Sequence, residues 1–265
     1  MNIAIGQYYP ENSVIHRLDP RMKLIAITAY IVSLFTVTSV FGYLFTFLFL
    51  IFIIIMSKVP LLYVLRSLKA IAFIIIFTSI LNIFFTQGEN ILFSVWFVNV
   101  TMEGLLAAAR IGTRLILLVA GSALLTLTTS PIKLSDALEY YMRPLKKIGV
   151  PAHEIAMMMT IALRFIPTLV EEMQKIMKAQ MARGADFETG GLVKKAKSIV
   201  PLIVPLFVSA FRRADELALA MESRCYRGDI NRTKMKKMAF ESRDFAAAVI
   251  IIIFIGLGIL INNMF

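Results

Sequence analysis

Two six-residue segments of this sequence place an arginine at the same distance from small residues. Residues 179–184 read AQMARG and residues 220–225 read AMESRC, so both fit the pattern A-x-x-[AS]-R-[GC]. A guanidinium is a rigid donor fork that binds carboxylates in a bidentate manner. Two matched arginines at helix ends therefore suit docking to two similar acidic sites. The alternative is that each arginine only complements the negative end of its helix dipole.

The other reactive side chains are few and form no familiar pattern. The chain has one cysteine, Cys225, and two histidines, His16 and His153, which excludes an internal disulfide and a His/Cys metal cluster. It also lacks the G-x-x-x-x-G-K-[ST] loop that cradles nucleotide phosphates. We therefore predict no catalytic residue, no metal site and no cofactor bound by this chain.

Arg110 and Arg114 lie one helical turn apart within a long apolar segment. Charged residues inside the membrane often mark an ion or substrate site, which would suit a membrane-embedded enzyme or a self-sufficient carrier. They can equally face the interior of a helix bundle or extend toward the membrane surface. The sequence leaves both interpretations open.

The chain that must position these residues is both apolar and basic. Of its 265 residues 58% are hydrophobic and 17% charged, the mean hydropathy is +0.78, and the net charge is +11. This composition excludes a disordered tail and indicates a polytopic membrane protein. The basic residues lie beside the apolar segments, so membrane orientation explains them and a nucleic-acid partner is not predicted.

Five apolar segments are predicted to cross the membrane. Residues 24–57 carry no charge, and as one helix they would be about 50 Å long, too long for a single crossing of a core of about 30 Å. We therefore expect two helices with a turn near residues 39–42. The predicted spans are residues 22–38, 41–57, 69–87, 103–129 and about 245–262.

Loop charges predict the orientation of these spans. Residues 131–243 contain 20 Lys or Arg and 12 Asp or Glu, whereas the loop 88–102 contains no Lys or Arg. The positive-inside rule then places the N-terminus and residues 131–243 in the cytoplasm and the C-terminus outside. The predicted fold is all-α, with a transmembrane region 1–130, a cytoplasmic helical domain 131–243 and a C-terminal transmembrane helix 244–265.

The cytoplasmic domain contains two unusually apolar segments, residues 155–170 and 199–211. Both are shorter than the roughly 20 residues that a membrane span needs. We predict that they lie at or under the cytoplasmic face. Their apolar stripes either pack on each other or are covered by another membrane protein.

Four motifs together resemble the T component of energy-coupling factor (ECF) transporters, and the resemblance covers nearly the whole chain. They are residues 16–24 (HRLDPRMKL), 124–131 (LLTLTTSP), 144–151 (PLKKIGVP) and 161–169 (IALRFIPTL).

The resemblance implies a non-catalytic scaffold in the plasma membrane of a prokaryote. In that family the T component joins two cytoplasmic ABC-type ATPases, which bind ATP and Mg, to a substrate-binding membrane protein called the S component. The complex imports vitamins or metal ions. Coupling would pass through long cytoplasmic helices.

The same resemblance implies which residues contact the partners. Two Ala-Arg-Gly motifs dock on the ATPases in that family, and residues 182–184 match fully, whereas the second copy departs on both sides of its arginine. There Cys225 replaces a glycine, and a cysteine adopts the left-handed conformation less easily. The expected ATPase-docking residues are Ala182, Arg183, Gly184, Ser223, Arg224 and Cys225. We expect the S component to cover part of the second apolar segment at Leu202, Pro205, Leu206 and Phe207.

Overall fold

The computed structural model describes residues 8–86, 90–95, 98–185, 187, 191–228 and 238–264, and this part of the chain is mostly helical. Its elements, in chain order, are α1 (Val14–Arg17), α2 (Pro20–Thr36), α3 (Val40–Ser57), α4 (Leu61–Phe85), β1 (Ile91–Val95), β2 (Val98–Thr101), α5 (Met102–Thr128), α6 (Pro131–Met142), a 3-10 helix (Arg143–Ile148), α7 (Ala152–Ala182), α8 (Leu192–Ser223) and α9 (Ser242–Met264). The predicted all-α class is confirmed. The short antiparallel hairpin β1–β2 was not predicted.

Local sequence explains where several helices begin. The Ser39 hydroxyl accepts a hydrogen bond from the Gly42 N–H and caps α3, and Thr101 caps α5 in the same way through Gly104. These side-chain caps satisfy backbone donors that the first turn of a helix leaves free. The turn predicted near residues 39–42 is therefore present, with Ser39 as its capping residue.

The described chain divides into two compact units. The first takes its residues from Gly6–Ala137 and Lys236–Phe265, and the second from Leu138–Met235. In the first unit α2, α3, α5 and α9 pack around a core that includes Leu34, Leu117 and Leu127. Gly121 allows close packing there, because a Cβ at this position would lie 2.5 Å from the Tyr30 ring.

By length and composition, five described helices could cross a membrane: α3, α4, α5, α7 and α9. Four of them coincide with predicted spans. The fifth predicted span is α2, whose 17 residues fall short of that length. Helix α4 begins at Leu61, right after Pro60 and eight residues earlier than predicted. The predicted end of this span at Gln87 lies outside the described residues.

Helix α7 changes one argument about the second unit. Its apolar segment is short, but the helix is 31 residues long, which corresponds to about 46 Å. The apolar segment 155–170 is shorter than a membrane span, but the helix that contains it is long enough to cross, so the length argument was wrong. The charge distribution alone supports its cytoplasmic placement, which stays a prediction.

Candidate functional site

The two arginine motifs terminate two long helices of nearly equal length. Helix α7 has 31 residues and α8 has 32, and their C-cap residues are Arg183 and Arg224. Both helices continue through internal prolines, Pro167 in α7 and Pro201 and Pro205 in α8. The two similar segments, residues 179–184 and 220–225, thus form two equivalent helix ends.

The two ends also share one pattern of backbone hydrogen bonds. At the first, the Gly184 N–H donates to the Met181 carbonyl at 2.9 Å and the Ala185 N–H to the Gln180 carbonyl at 3.0 Å. At the second, the Cys225 N–H donates to Glu222 at 2.8 Å and the Tyr226 N–H to Met221 at 3.0 Å. These are the paired bonds of a Schellman motif, which satisfies the last carbonyls of a helix.

The residue after each arginine is in the left-handed conformation. Gly184 has a φ of +86° and Cys225 a φ of +56°. Cys225 thus adopts the left-handed conformation despite its Cβ, although a cysteine is expected to adopt it less easily than a glycine. The surrounding hydrogen bonds hold a conformation that costs an L-residue roughly 1–2 kcal/mol.

All six predicted docking residues are exposed. Among the described residues, the structure shows no hydrogen bond or ion pair from either guanidinium, Arg183 or Arg224. No described residue of this chain therefore neutralises either charge. Helix-dipole compensation accounts for an arginine at each end, but it does not require two ends with matched geometry.

The two arginine ends lie far apart. His153 is at the start of α7, and its Nε2 lies 3.4 Å from the Tyr226 hydroxyl, just beyond the end of α8. The two helices therefore run in opposite directions. Because α7 separates His153 from Arg183, the distance between the two ends is on the order of 40 Å. One compact acidic site cannot receive both arginines.

Polar side chains connect the end of α8 to the start of α7 and to α6. His153 Nδ1 lies 3.3 Å from Glu139 Oε1, and Glu139, on α6, is buried and also lies 3.8 Å from Arg143. The sequence motifs predict no partner for His153. Nothing in the sequence pairs it with Tyr226, 73 residues away.

Contacts to α7 determine which face of α8 is covered. The Ser209 hydroxyl donates to Glu172 Oε1, and Arg213 Nη2 lies 3.0 Å from Glu172 Oε2. Leu202 and Leu206 precede these residues at helical spacing, share their face and are half-buried. Two of the residues predicted to contact the S component therefore face α7.

The opposite face of α8 is an exposed apolar stripe. Phe207 is 61% exposed and stacks edge to face with Phe211, with 4.8 Å between ring centroids. The stripe consists of Val200, Ile203, Val204, Phe207, Val208 and Phe211. Leu202 and Leu206 thus lie toward α7 and Phe207 lies on the stripe, so these predicted contact residues occupy two faces of α8, and their contact with the S component stays a prediction. Pro205 is exposed.

Residues 16–24, the first of the four family motifs, make several hydrogen bonds within the first unit. His16 Nε2 donates to the Tyr9 carbonyl at 3.0 Å, and its Nδ1 accepts from the Ser13 hydroxyl at 2.8 Å. In the neutral ring, donation from Nε2 leaves Nδ1 as the acceptor, and burial favours this form because it lowers the pKa of His16. The motif therefore has a structural role within the described residues.

A second contact joins the start of α2 to the start of α9. Asp19 caps α2 and pairs with Arg21 at 2.7 Å, and its own N–H donates to Asp244 at 2.8 Å. Burial would raise the pKa of Asp19, but hydrogen bonds and charge from Arg21 outweigh it and lower the pKa. Asp244 also accepts a hydrogen bond from the Glu241 N–H, so its carboxylate connects the start of α2 to the residues just before α9.

Arg110 and Arg114 have different environments. Arg114 Nη2 donates to the Val37 carbonyl at 3.1 Å and to the Tyr43 hydroxyl at 2.8 Å, whereas Arg110 is exposed. Arg114 thus fastens the α2–α3 turn to α5. This arrangement supports the bundle-facing interpretation of Arg114, and the two arginines do not converge on a shared carboxylate among the described residues.

Comparison with known proteins agrees with the resemblance inferred from the motifs. The sequence model of the cobalt transport protein family matches residues 11–235. A Clostridium kluyveri protein named energy-coupling factor transporter transmembrane protein EcfT is 53% identical over 260 residues, covering 98% of this chain and 96% of that protein. A protein of the same name from Thermosediminibacter oceani is 54% identical over 247 residues, 93% of each chain. Another, from Lactococcus lactis subsp. cremoris, is 46% identical over 252 residues, 95% of each. The chain therefore belongs to the family of transmembrane T components of ECF transporters and is a multi-pass membrane subunit of a transporter.

Proposed function

We propose that this chain couples two ABC-type ATPases to a substrate-binding S component. The observation that carries the proposal is the pair of exposed arginine ends with the same backbone geometry. Their separation, on the order of 40 Å, fits two partner subunits better than one. The chain itself has no nucleotide-binding loop, so ATP and Mg would be bound by the partners.

The exposed stripe on α8 supports contact with a third partner. Burying one such valine or phenylalanine side chain stabilises a complex by about 1.5–3 kcal/mol, so six of them form an effective apolar surface. The S component would bind the vitamin or metal ion and lie against this stripe. ATP-driven movement of the two arginine ends would then reach the S component through α7 and α8.

The orientation remains part of the proposal, with the N-terminus and residues 131–243 in the cytoplasm of a prokaryotic cell and the C-terminus outside. The asymmetry of Lys and Arg between loops supports it. Single cysteines at Asn90 and Lys197, in a Cys225→Ala background, should differ in labelling by an impermeant reagent applied to whole cells. Labelling of both sites to the same extent would contradict this orientation.

The coupling role is tested by reconstitution. The chain should co-purify with two ATPase subunits and an S component, and vesicles should accumulate substrate only when all of these and ATP are present. Purified alone, it should neither hydrolyse ATP nor transport. Uptake or hydrolysis by the chain alone would contradict the proposal.

A further inference from the structure

The first unit contains an apolar cavity of about 280 Å³ between α2, α3, α5 and α9. One end is marked by two cationic side chains, Lys23 and Arg243. The other end is closed by aromatic rings, with the Phe49 and Phe254 centroids 4.1 Å apart and Tyr30 beside them. The cavity therefore has a charged end and a fully apolar end.

Its length corresponds to one leaflet of a bilayer. Along α9 it extends from Arg243 to Phe254, which is 11 residues or about 16 Å of helix. The hydrocarbon core of a membrane is about 30 Å thick, so half of it is about 15 Å. A chain that lies between these two residues would have the reach of a single lipid tail.

The cavity is open on one side of the bundle. Its lining includes Phe52, Met56 and Ile250, which are exposed, whereas Leu50 and Leu124 at its inner wall are buried. The exposed residues belong to α3 and α9, two helices that could cross the membrane. A lipid tail can thus enter sideways between them.

The Lys23 ammonium at the polar end forms no direct ion pair with a described carboxylate. Lys23 is 7% exposed, and its ammonium donates to the Thr128 carbonyl at 2.9 Å and to the Thr129 hydroxyl at 3.2 Å. Two of its three N–H donors are used, and no carboxylate of a described residue lies within 4 Å. Lys133 adds to the positive potential at this ammonium, and Asp244 partly offsets it.

The neighbouring carboxylates have other partners. Both oxygens of Asp244 accept backbone N–H groups, and Glu241 pairs with Arg243 at the surface. This pair is solvent-exposed and therefore weak. Three cationic side chains, Lys23, Lys133 and Arg243, nevertheless outnumber the two carboxylates, so the polar end carries a net positive charge that favours an anion.

From these observations we propose that the cavity binds one acyl chain of an anionic phospholipid, with its phosphate at Lys23 and Arg243. Under the proposed orientation this end faces the cytoplasm, so the lipid belongs to the inner leaflet. Basic pockets between transmembrane helices on that side are a known kind of lipid site. The tail would give the cavity walls the dispersion contacts that they otherwise lack.

The test is to count lipids retained by the full-length chain in detergent, using native mass spectrometry. Phosphatidylglycerol and phosphatidylcholine with identical acyl chains serve as probes. We expect one tightly held phosphatidylglycerol and at least tenfold lower occupancy for phosphatidylcholine. Ala247→Phe, which fills the cavity, should reduce this occupancy at least tenfold, whereas Val249→Phe on the exposed side of α9 should leave it unchanged.

Equal retention of the two lipids, or normal retention by Ala247→Phe, would overturn the proposal. Because Ala247→Phe could fail to fold, wild-type protein provides an independent measurement. Phosphatidylglycerol with a photoreactive group in its acyl chain should label lining residues such as Phe52, Ile53 and Ile251 after excess lipid is removed. Labelling spread over α4 instead would contradict the location.

Discussion

Arg183 and Arg224 occupy the same position in two Schellman motifs at the ends of two antiparallel helices. Each is followed by a residue with positive φ, Gly184 or Cys225, and each side chain is exposed. A helix-end arginine needs none of this repetition to complement a dipole. The repetition is the observation that supports our proposal of a common docking function.

Replacing Cys225 with glycine should stabilise the protein. The left-handed conformation costs an L-residue roughly 1–2 kcal/mol, and glycine avoids this cost. Part of the gain is lost because glycine has more conformational freedom in the unfolded chain. We expect a net gain of about 0.5–1 kcal/mol, seen as a higher midpoint of thermal unfolding in detergent.

Gly184→Ala is the matched control for this prediction. A Cβ there has no neighbour within 4 Å, so only backbone strain acts. This variant should be destabilised by about 1–2 kcal/mol. Opposite signs are expected for the two changes, and equal signs would contradict the shared geometry.

Stability should decrease on acidification through the His16 ring. Because burial lowers the pKa of His16 below 6.5, the unfolded chain binds more protons in the interval between the two pKa values. The contribution of His16 is complete above pH 6.5 and is lost as the pH falls through that interval. His16→Gln keeps a donor for the Tyr9 carbonyl and should make the unfolding midpoint depend less on pH between pH 7 and pH 5. The same pH dependence as in the wild type would contradict this.

Arg114 and Arg110 should respond differently to substitution. Arg114→Gln removes charged hydrogen bonds to Val37 and Tyr43 and should destabilise the chain by about 1.5–3 kcal/mol. The exposed Arg110→Gln should change stability by less than about 0.5 kcal/mol. Thermal unfolding of both variants in the same detergent tests this, and equal losses would contradict the assigned role of Arg114.

Two neighbouring residues of α8 should give different defects. Phe207→Glu places a charge on the exposed stripe and should release the S component while the ATPases stay bound. Leu206→Glu places it on the face toward α7 and should destabilise the helix pair, so that all partners are lost. Pull-down of both partner types from one extract distinguishes the cases, and retention of the S component by Phe207→Glu would contradict the contact surface.

Local signals in the sequence predicted much of this architecture. The Ser39 turn, the apolar segments and the two arginine ends follow from short-range patterns, and the family motifs predicted the kind of subunit. The orientation of α8 did not follow, because Leu206 and Phe207 are equally apolar and only contacts with Glu172 decide which one is covered. Tyr226 and His153 are 73 residues apart, and Lys23 and Thr128 are 105 apart, so no local pattern pairs them.

The coupling role is tested most directly by the affinity of the ATPase pair for chains carrying arginine substitutions, measured with the S component present in lipid nanodiscs. Losing one charge-assisted contact typically costs about 1.5–3 kcal/mol, so Arg183→Ala and Arg224→Ala should each weaken binding by at least about tenfold, and the double variant more. Lysine should restore only part of the affinity because the bidentate fork is lost, and the exposed Arg212→Ala on α8 serves as control. Wild-type affinity in both alanine variants would contradict the account.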